Sequence, residues 1–393
     1  MACGAGCDNR LTPVQTLAGK QVVVAVTGSI AAVEVVKLIH ALRRRGAVVQ
    51  VVMSDAAAGI ITPDALSYAS GRPVITRISG MVEHVMYCGD GGSADLLLIA
   101  PCTANTLSKI ACGIDDTPVT TFATTAVGRG MPVLIVPAMH HSMFRHPALL
   151  KNITTLEGWG VGILAPCIEE GKAKIAGIDE IVLWSERALL GRPLEGKRVL
   201  ITSGPCREPV DDVRILTTRS SGRMGMELAL QAFRLGADVT IVHRDMVPCV
   251  RNVPAGTADE MRTAVLSELA EHGGADVYIS AAAISDFAPR RKEGKIPSGK
   301  PAGIELLPLP KLLDEVVKQY APFTVAFKIS RKPEQQAKSM LRYGVSMVLM
   351  NRPETMGSHQ GEYDLLSTRG SCRITGTKDE VAGTIWNEIL RSF

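Results

Sequence analysis

Apolar residues in this chain fall into short blocks, each followed by a loop of small and polar residues. The valine-rich block at 21–26 reads as a buried strand, 27–29 as a turn, 30–45 as a helix and 48–53 as a second strand. ADLLLIAP (94–101) and MPVLIVPAM (131–139) are further buried strands, and TANTLSKIACG after the first of these is helical. The theme restarts near residue 197, with a strand at 197–202, a Gly-Pro loop, a helix at 222–235 and a strand at 237–242. Candidate strands follow at 276–283, 324–330 and 345–351. Strands alternating with helices predict an α/β protein with two doubly wound, Rossmann-like parallel sheets. The restart places a boundary in WSERALLGRPLEG, giving a flexible tail (1–18) and domains at 19–190 and 191–393. In such sheets ligands sit beyond the carboxyl ends of strands, which directs attention to the loop after each strand.

Composition narrows the classes. With 46% hydrophobic and 21% charged residues, the 393-residue chain has ample material for packed cores. A net charge of +4 is too weak to argue for a nucleic-acid surface, and 4% aromatic residues disfavour base-stacking platforms and carbohydrate grooves. Nine cysteines form no Cys-x-x-Cys pair, so neither a disulfide framework nor a zinc site is indicated. The first residues lack the apolar core of a signal peptide, and no apolar run is long enough to span a bilayer. The expectation is a cytoplasmic chain with no membrane partner.

Three strand-end loops of the first half carry polar residues suited to a mononucleotide phosphate. They are Thr27, Gly28, Ser29 and Ile30 after the first strand; Ser54 after the second; and Pro101, Thr103, Asn105 and Thr106 after the third. TGSIAA is not Gly-x-Gly-x-x-Gly, which disfavours a dinucleotide site and an NAD-dependent oxidoreductase. Taken alone, the same loop is equally well explained as a helix cap without a ligand.

TGSIAA, VEHV, IAPCTANTLSKIACGIDDTPVTT and VPAMHHSM resemble the homo-oligomeric, FMN-containing cysteine decarboxylases. In the second half, ITSGPCREPVDDVRILTTRSSGRMG, SAAAISDFAP and GKI resemble phosphopantothenate–cysteine ligases. This order, covering roughly residues 20–360, is that of the bifunctional coenzyme A biosynthesis family. The resemblance implies two reactions. CTP first activates 4′-phosphopantothenate as an acyl-cytidylate, and the cysteine amine displaces CMP. The 4′-phosphopantothenoylcysteine formed is then oxidised at its thiol side with FMN, which makes an electron sink for loss of CO2, and the reduced flavin returns the hydride to give 4′-phosphopantetheine.

It also implies roles for residues. His84 matches the decarboxylase histidine, and Met139, His140 and Met143 match its substrate clamp. Ser220, Ser221, Gly222 and Arg223 match the nucleotide-phosphate loop, with Ala282, Ala283, Asp286 and Phe327 as further nucleotide contacts. Arg214, Thr218 and Lys295 match positions that act at the activated carboxyl and on phosphate charge. Mg2+ is implied with the triphosphate, and a homo-oligomer of trimers and dimers, up to a dodecamer, with the assembly.

Three positions depart from the family pattern. His140 and Thr218 each stand where asparagine is usual, and CIEEGKAKIAG replaces the lid's Ala-Cys-Gly context. Cys167 is therefore not assigned the lid role, and Lys172 and Lys174 are candidates for the substrate phosphate or carboxylate. Other readings are a flavin-dependent decarboxylase of another cysteine-terminated substrate, with a ligase-like half kept for binding, and a non-catalytic nucleotide-binding regulatory protein.

Overall fold

The computed structural model describes residues 15–169, 172–299, 301–330, 333–352 and 360–393, with backbone alone at 167–169 and 172–174. It divides into two compact units, Met1–Gly191 and Arg192–Phe393.

The first unit is built on a five-stranded parallel sheet in the order β2-β1-β3-β4-β6. The strands are β1 (Gln21–Val26), β2 (Val48–Met53), β3 (Leu96–Cys102), β4 (Val133–Pro137) and β6 (Gly162–Ile163). Successive side chains of a strand point to opposite faces, so a strand covered on both faces is apolar at nearly every position. Val22, Val24 and Val26 accordingly join a core with Leu38, Ile39 and Leu42. Val23 and Ala25 join a second core with Leu107 and Phe122. A small sheet, β5 (Met139–His140), β8 (Lys172–Lys174) and β7 (Cys167–Glu169), stands apart, with His140 opposite Lys172 in register.

The second unit carries an eight-stranded sheet, β13-β12-β9-β14-β17-β18-β19-β20. Its strands are β9 (Arg198–Thr202), β12 (Asp238–His243), β13 (Arg251–Pro254), β14 (Val277–Ser280), β17 (Phe323–Ile329), β18 (Met347–Asn351), β19 (Gln360–Ser367) and β20 (Gly370–Thr377). Pairing is parallel through β18 and antiparallel for the last two strands. Two hairpins, β10 (Arg207–Pro209) with β11 (Ile215–Thr217) and β15 (Phe287–Pro289) with β16 (Leu306–Pro308), lie outside it. Both units are therefore doubly wound, as the alternation predicts. Strand order reverses between β1 and β3 in the first unit and between β9 and β14 in the second.

Both sheets are pinned the same way at the entering end. Asp95 Oδ2 accepts the Gln21 amide at 2.8 Å and Asp95 Oδ1 pairs with Lys20 at 3.4 Å. Asp276 Oδ2 accepts the Arg198 amide at 2.8 Å and Asp276 Oδ1 pairs with Lys197 at 3.1 Å. Burial alone would raise the Asp276 pKa, but the Arg198 amide and Lys197 lower it on balance. Each aspartate bonds across rather than along its chain, so β3 starts at Leu96 and β14 at Val277, later than the apolar pattern suggests.

Three sequence expectations are corrected. The tail does not extend to residue 18: Leu17 is 0% exposed in the first core, its amide donates to the Arg45 carbonyl, and Thr16 bonds Glu186. The helix expected over 30–45 is a 3-10 segment (Ile30–Glu34) followed by an α-helix (Val35–Arg44). The Ala32 amide donates to the Ser29 carbonyl at 2.8 Å, the i→i+3 bond of a tight first turn. The strand expected over 276–283 ends at Ser280, beyond which only an isolated parallel bridge joins Ala283 to Pro205. No helix among the described residues is long and apolar enough to cross a membrane.

Candidate active sites

In the first unit the predicted cofactor loops meet at the β1/β3 reversal, but their hydroxyls divide into two groups. Thr27 is 1% exposed and faces inward, its Oγ1 donating to the Pro101 carbonyl at 2.8 Å and accepting the Thr103 amide at 3.0 Å. Thr103 caps the helix Ala104–Ala111 by accepting the Thr106 amide, and Thr106 is itself buried. Ser54 caps the short helix Asp55–Ala58. Thr27, Ser54 and Thr106 therefore shape the loops, whereas Ile30 and Asn105 are exposed and Ser29 is half-buried. The Ala100–Pro101 peptide bond is cis. Gly28 is required by packing: a Cβ there would stand 2.6 Å from the Ala56 Cβ.

His84 lies on the helix Glu83–Cys88. That helix opens from Val82 at φ 47° and ψ 53°, a conformation a β-branched residue rarely adopts. Glu83 accepts the Ser79 amide at 2.9 Å and its hydroxyl, bonds that hold the carboxyl below the ordinary glutamate range. The His84 Nδ1 is buried with no partner among the described residues. A buried polar atom left without a partner is costly, and at a site it marks a place for a ligand or proton.

His140 caps the helix His141–Phe144, its Nδ1 accepting the Ser142 amide at 3.3 Å. With Nδ1 as acceptor, the neutral ring carries its proton on Nε2, so His140 is a donor at its outer edge. Met143 is exposed and Met139 half-buried. His141, which the sequence did not single out, also has a buried, unpartnered Nδ1. The side chains of Cys167, Lys172 and Lys174 lie outside the described residues.

In the second unit a cavity of about 360 Å³ opens at the carboxyl ends of β14, β17 and β18. Thr218, Ser220, Ser221, Gly222 and Arg223 line one side, and Ala282, Ala283, Asp286 and Phe327 the other. A neighbouring cavity of about 350 Å³ shares Ala282, Asp286 and Phe327 and extends to Leu312 and Tyr343. Glycine is needed at the loop. Gly222 is at φ 71°, and a Cβ there would stand 2.9 Å from the Gly204 Cα. The backbone thereby approaches closely where the helix Arg223–Arg234 presents its free amides. The Thr218 Oγ1 is buried with no partner among the described residues. Asp286 is exposed to both cavities rather than capping a helix, and Phe327 meets Tyr363 edge-on at 6.1 Å. Sequence reading missed Tyr363, Asn351 and Lys378, which also line the cavity.

Arg214 and Lys295 are not among the residues lining either cavity. They belong to two loops strapped together. Asp211 Oδ2 accepts the Ile296 amide at 3.0 Å and pairs with Arg214, while Asp212 accepts the Gly294 amide at 3.0 Å and pairs with Arg291 at 2.9 Å. The Ile296 amide, with the Val213 and Arg214 amides, holds the Asp211 carboxyl well below the usual range against the opposing effect of burial.

A strand, a loop and a helix at the sheet reversal of each unit define a two-domain, doubly wound α/β protein. Residues 11–189 match the flavoprotein family model, and 194–393 match the DNA/pantothenate metabolism flavoprotein C-terminal domain. The chain is 44% identical to the coenzyme A biosynthesis bifunctional protein CoaBC of Thermococcus kodakarensis, over 96% of each chain. It is 35% identical to that of Methanocaldococcus jannaschii, over 97% of this chain and 96% of the relative. Among solved structures, the C-terminal domain of a CoaBC protein is 29% identical with a TM-score of 0.42, covering 51% of this chain and 97% of that one. The chain belongs to the coenzyme A biosynthesis bifunctional protein family.

Proposed function

We propose that the chain carries out two consecutive steps of coenzyme A biosynthesis: CTP-dependent ligation of 4′-phosphopantothenate to cysteine in residues 191–393, and FMN-dependent decarboxylation of the product in residues 19–190. The observation that carries the reading is that family membership over 96% of the chain coincides with a cleft of about 360 Å³ lined by Thr218, Arg223, Asp286 and Phe327.

The ligase residues divide the work. The Ser220–Arg223 segment holds phosphates on backbone amides and a guanidinium. Phe327 stacks against the base, and Asp286 orients the nucleotide. Thr218, with its unpartnered hydroxyl, donates to the activated carboxyl in place of the usual asparagine. Arg214 and Lys295 arrive together from the strapped loops to meet developing charge. Among the described residues no three metal-ligating side chains gather, so Mg2+ would come with the nucleotide, held by its phosphates beside Asp286.

In the decarboxylase unit, the loops of Gly28–Ser29 and Thr103–Asn105 suit FMN, which supplies the redox chemistry. The residues serve binding and proton transfer. His84 offers an unpartnered nitrogen at the reacting centre, and His140 Nε2–H binds the substrate carboxylate. Lys172 and Lys174 are proposed for the substrate phosphate. We further propose a cytoplasmic homo-oligomer of trimers and dimers. Large exposed apolar side chains in both units suit subunit contacts, among them Tyr68 at 82% and Phe287 at 47%.

The test incubates the purified chain with 4′-phosphopantothenate, cysteine, CTP and FMN and identifies products by mass spectrometry. The expected products are 4′-phosphopantetheine, CMP and pyrophosphate. Accumulation of 4′-phosphopantothenoylcysteine without CO2 loss would refute the decarboxylase half, and absence of the amide would refute the ligase half. His84→Asn is expected to stop decarboxylation and leave ligation intact; equal loss of both would refute that role.

A further inference from the structure

The cleft of the second unit contains a cation that the motifs do not point to. Lys378 is the first residue of the C-terminal helix Lys378–Ser392 and lines the cavity that Ser221, Gly222 and Arg223 line. It is 6% exposed. No hydrogen bond or ion pair joins its ammonium to any described residue. The carboxylates nearest in sequence are engaged elsewhere: Glu380 accepts the Thr377 amide at 2.8 Å, and Asp379 bonds the Thr377 hydroxyl. Glu227, facing it from the helix Arg223–Arg234, pairs with Arg223 at 3.6 Å.

Three costs fall on this one charge. Burial strips part of its water. Its place at a helix N-terminus sets it against the positive end of the dipole. Arg223 adds a like charge. Burial first, then Arg223, lower its pKa, and Glu227 offsets this in part. An anion in the cleft would relieve all three, and the amides opening the helix Arg223–Arg234 face the same space.

We propose that Lys378 is a polyphosphate-binding residue, closing with Arg223 on the β- and γ-phosphates of the nucleoside triphosphate. This rests on reading the cleft as the nucleotide site. In the activation step the substrate carboxylate bonds to the α-phosphorus as the bond to the β-phosphate oxygen breaks, and Lys378 neutralises the charge gained by the departing pyrophosphate.

The test uses Lys378→Met and Lys378→Arg in the full chain. Binding of CTP, CMP and inorganic tripolyphosphate is followed by calorimetry, and thermal unfolding is measured with and without each. A charge-assisted contact predicts that Lys378→Met weakens CTP and tripolyphosphate about tenfold or more, with CMP changed less than about twofold. Lys378→Arg should retain most of the CTP affinity. Removing a buried, unpaired cation should leave the ligand-free melting temperature unchanged or raised. A lowered ligand-free melting temperature, CTP and CMP weakened alike, or unchanged CTP affinity would each overturn the inference. Tripolyphosphate binding that depends on Lys378 in a chain binding neither nucleotide would refute the nucleotide reading and uphold the anion site.

Discussion

The Ser203 Oγ donates to the Gly222 carbonyl at 2.8 Å, tying the loop after β9 to the Ser220–Arg223 segment of the second unit. The same oxygen restricts the first turn of the helix Arg223–Arg234: a Cβ at Gly225 would stand 2.4 Å from it. Gly225→Ala is therefore expected to push the helix away from the loop, costing about 1–3 kcal/mol in a packed site. Ligation should fall with it, while supplied 4′-phosphopantothenoylcysteine is still decarboxylated. Paired product assays and thermal unfolding check this, and unchanged ligation would contradict it.

Thr27 performs the corresponding task in the first unit, holding Pro101 and Thr103 together across 74 and 76 residues of chain. Thr27→Val keeps the shape and removes the hydroxyl. The Thr103 amide loses its acceptor, a loss worth about 1–3 kcal/mol for a buried group. The expected result is a lower melting temperature and loss of FMN during gel filtration. Full flavin absorbance in the eluted variant would contradict the assignment.

Asp211 governs the strap that brings Arg214 and Lys295 together. Its carboxyl pKa in the folded chain lies well below the usual range, so the stabilisation it gives is present above the unfolded value, about 4, and lost as pH falls towards the folded one. The strap should therefore persist through neutral and mildly acidic solution. Asp211→Asn should loosen it at any pH, speeding trypsin cleavage after Arg291, Lys292 and Lys295 and lowering ligation alone. Unaltered cleavage and activity would count against the strap.

The cysteines supply a chemical test. Burial pushes the Cys88 thiol up to about 12; at Cys206, burial together with Glu208 and Glu260 does the same. Burial raises Cys102 further still. At pH 8 all three stay protonated and shielded, whereas Cys112 is exposed. Iodoacetamide at that pH should label Cys112 and spare the three until the chain unfolds. Rapid labelling of Cys102 in the native chain would contradict the packing around β3.

Much of this was legible in the chain itself. Doubly covered strands are largely apolar, so β1, β2, β9 and β18 stand out as runs despite the buried Gln50 of β2. Which hydroxyl turns inward was not legible. Thr27 and Ser29 are two residues apart, and only contact with the distant Pro101 and Thr103 distinguishes them. Leu17 looked like tail because its partners lie on the helix Val35–Arg44 and beyond. Lys378 gave no local signal, since a lysine opening an amphipathic helix is ordinarily a solvated charge. The packing of that helix on the helix Arg223–Arg234, where the Trp386 Nε1 donates to the Leu228 carbonyl at 2.9 Å, carries it to the cleft.

Asp95 and Asp276 have a further consequence for how such a chain can change. Each holds its sheet where strands enter, opposite the end where the ligand loops leave. Strand registration is thus secured independently of those loops. Insertions and deletions beyond β3 or β14 can reshape a pocket without slipping the sheet beneath it. One scaffold, used twice in a single chain, can in this way acquire two chemistries while its foundations stay the same.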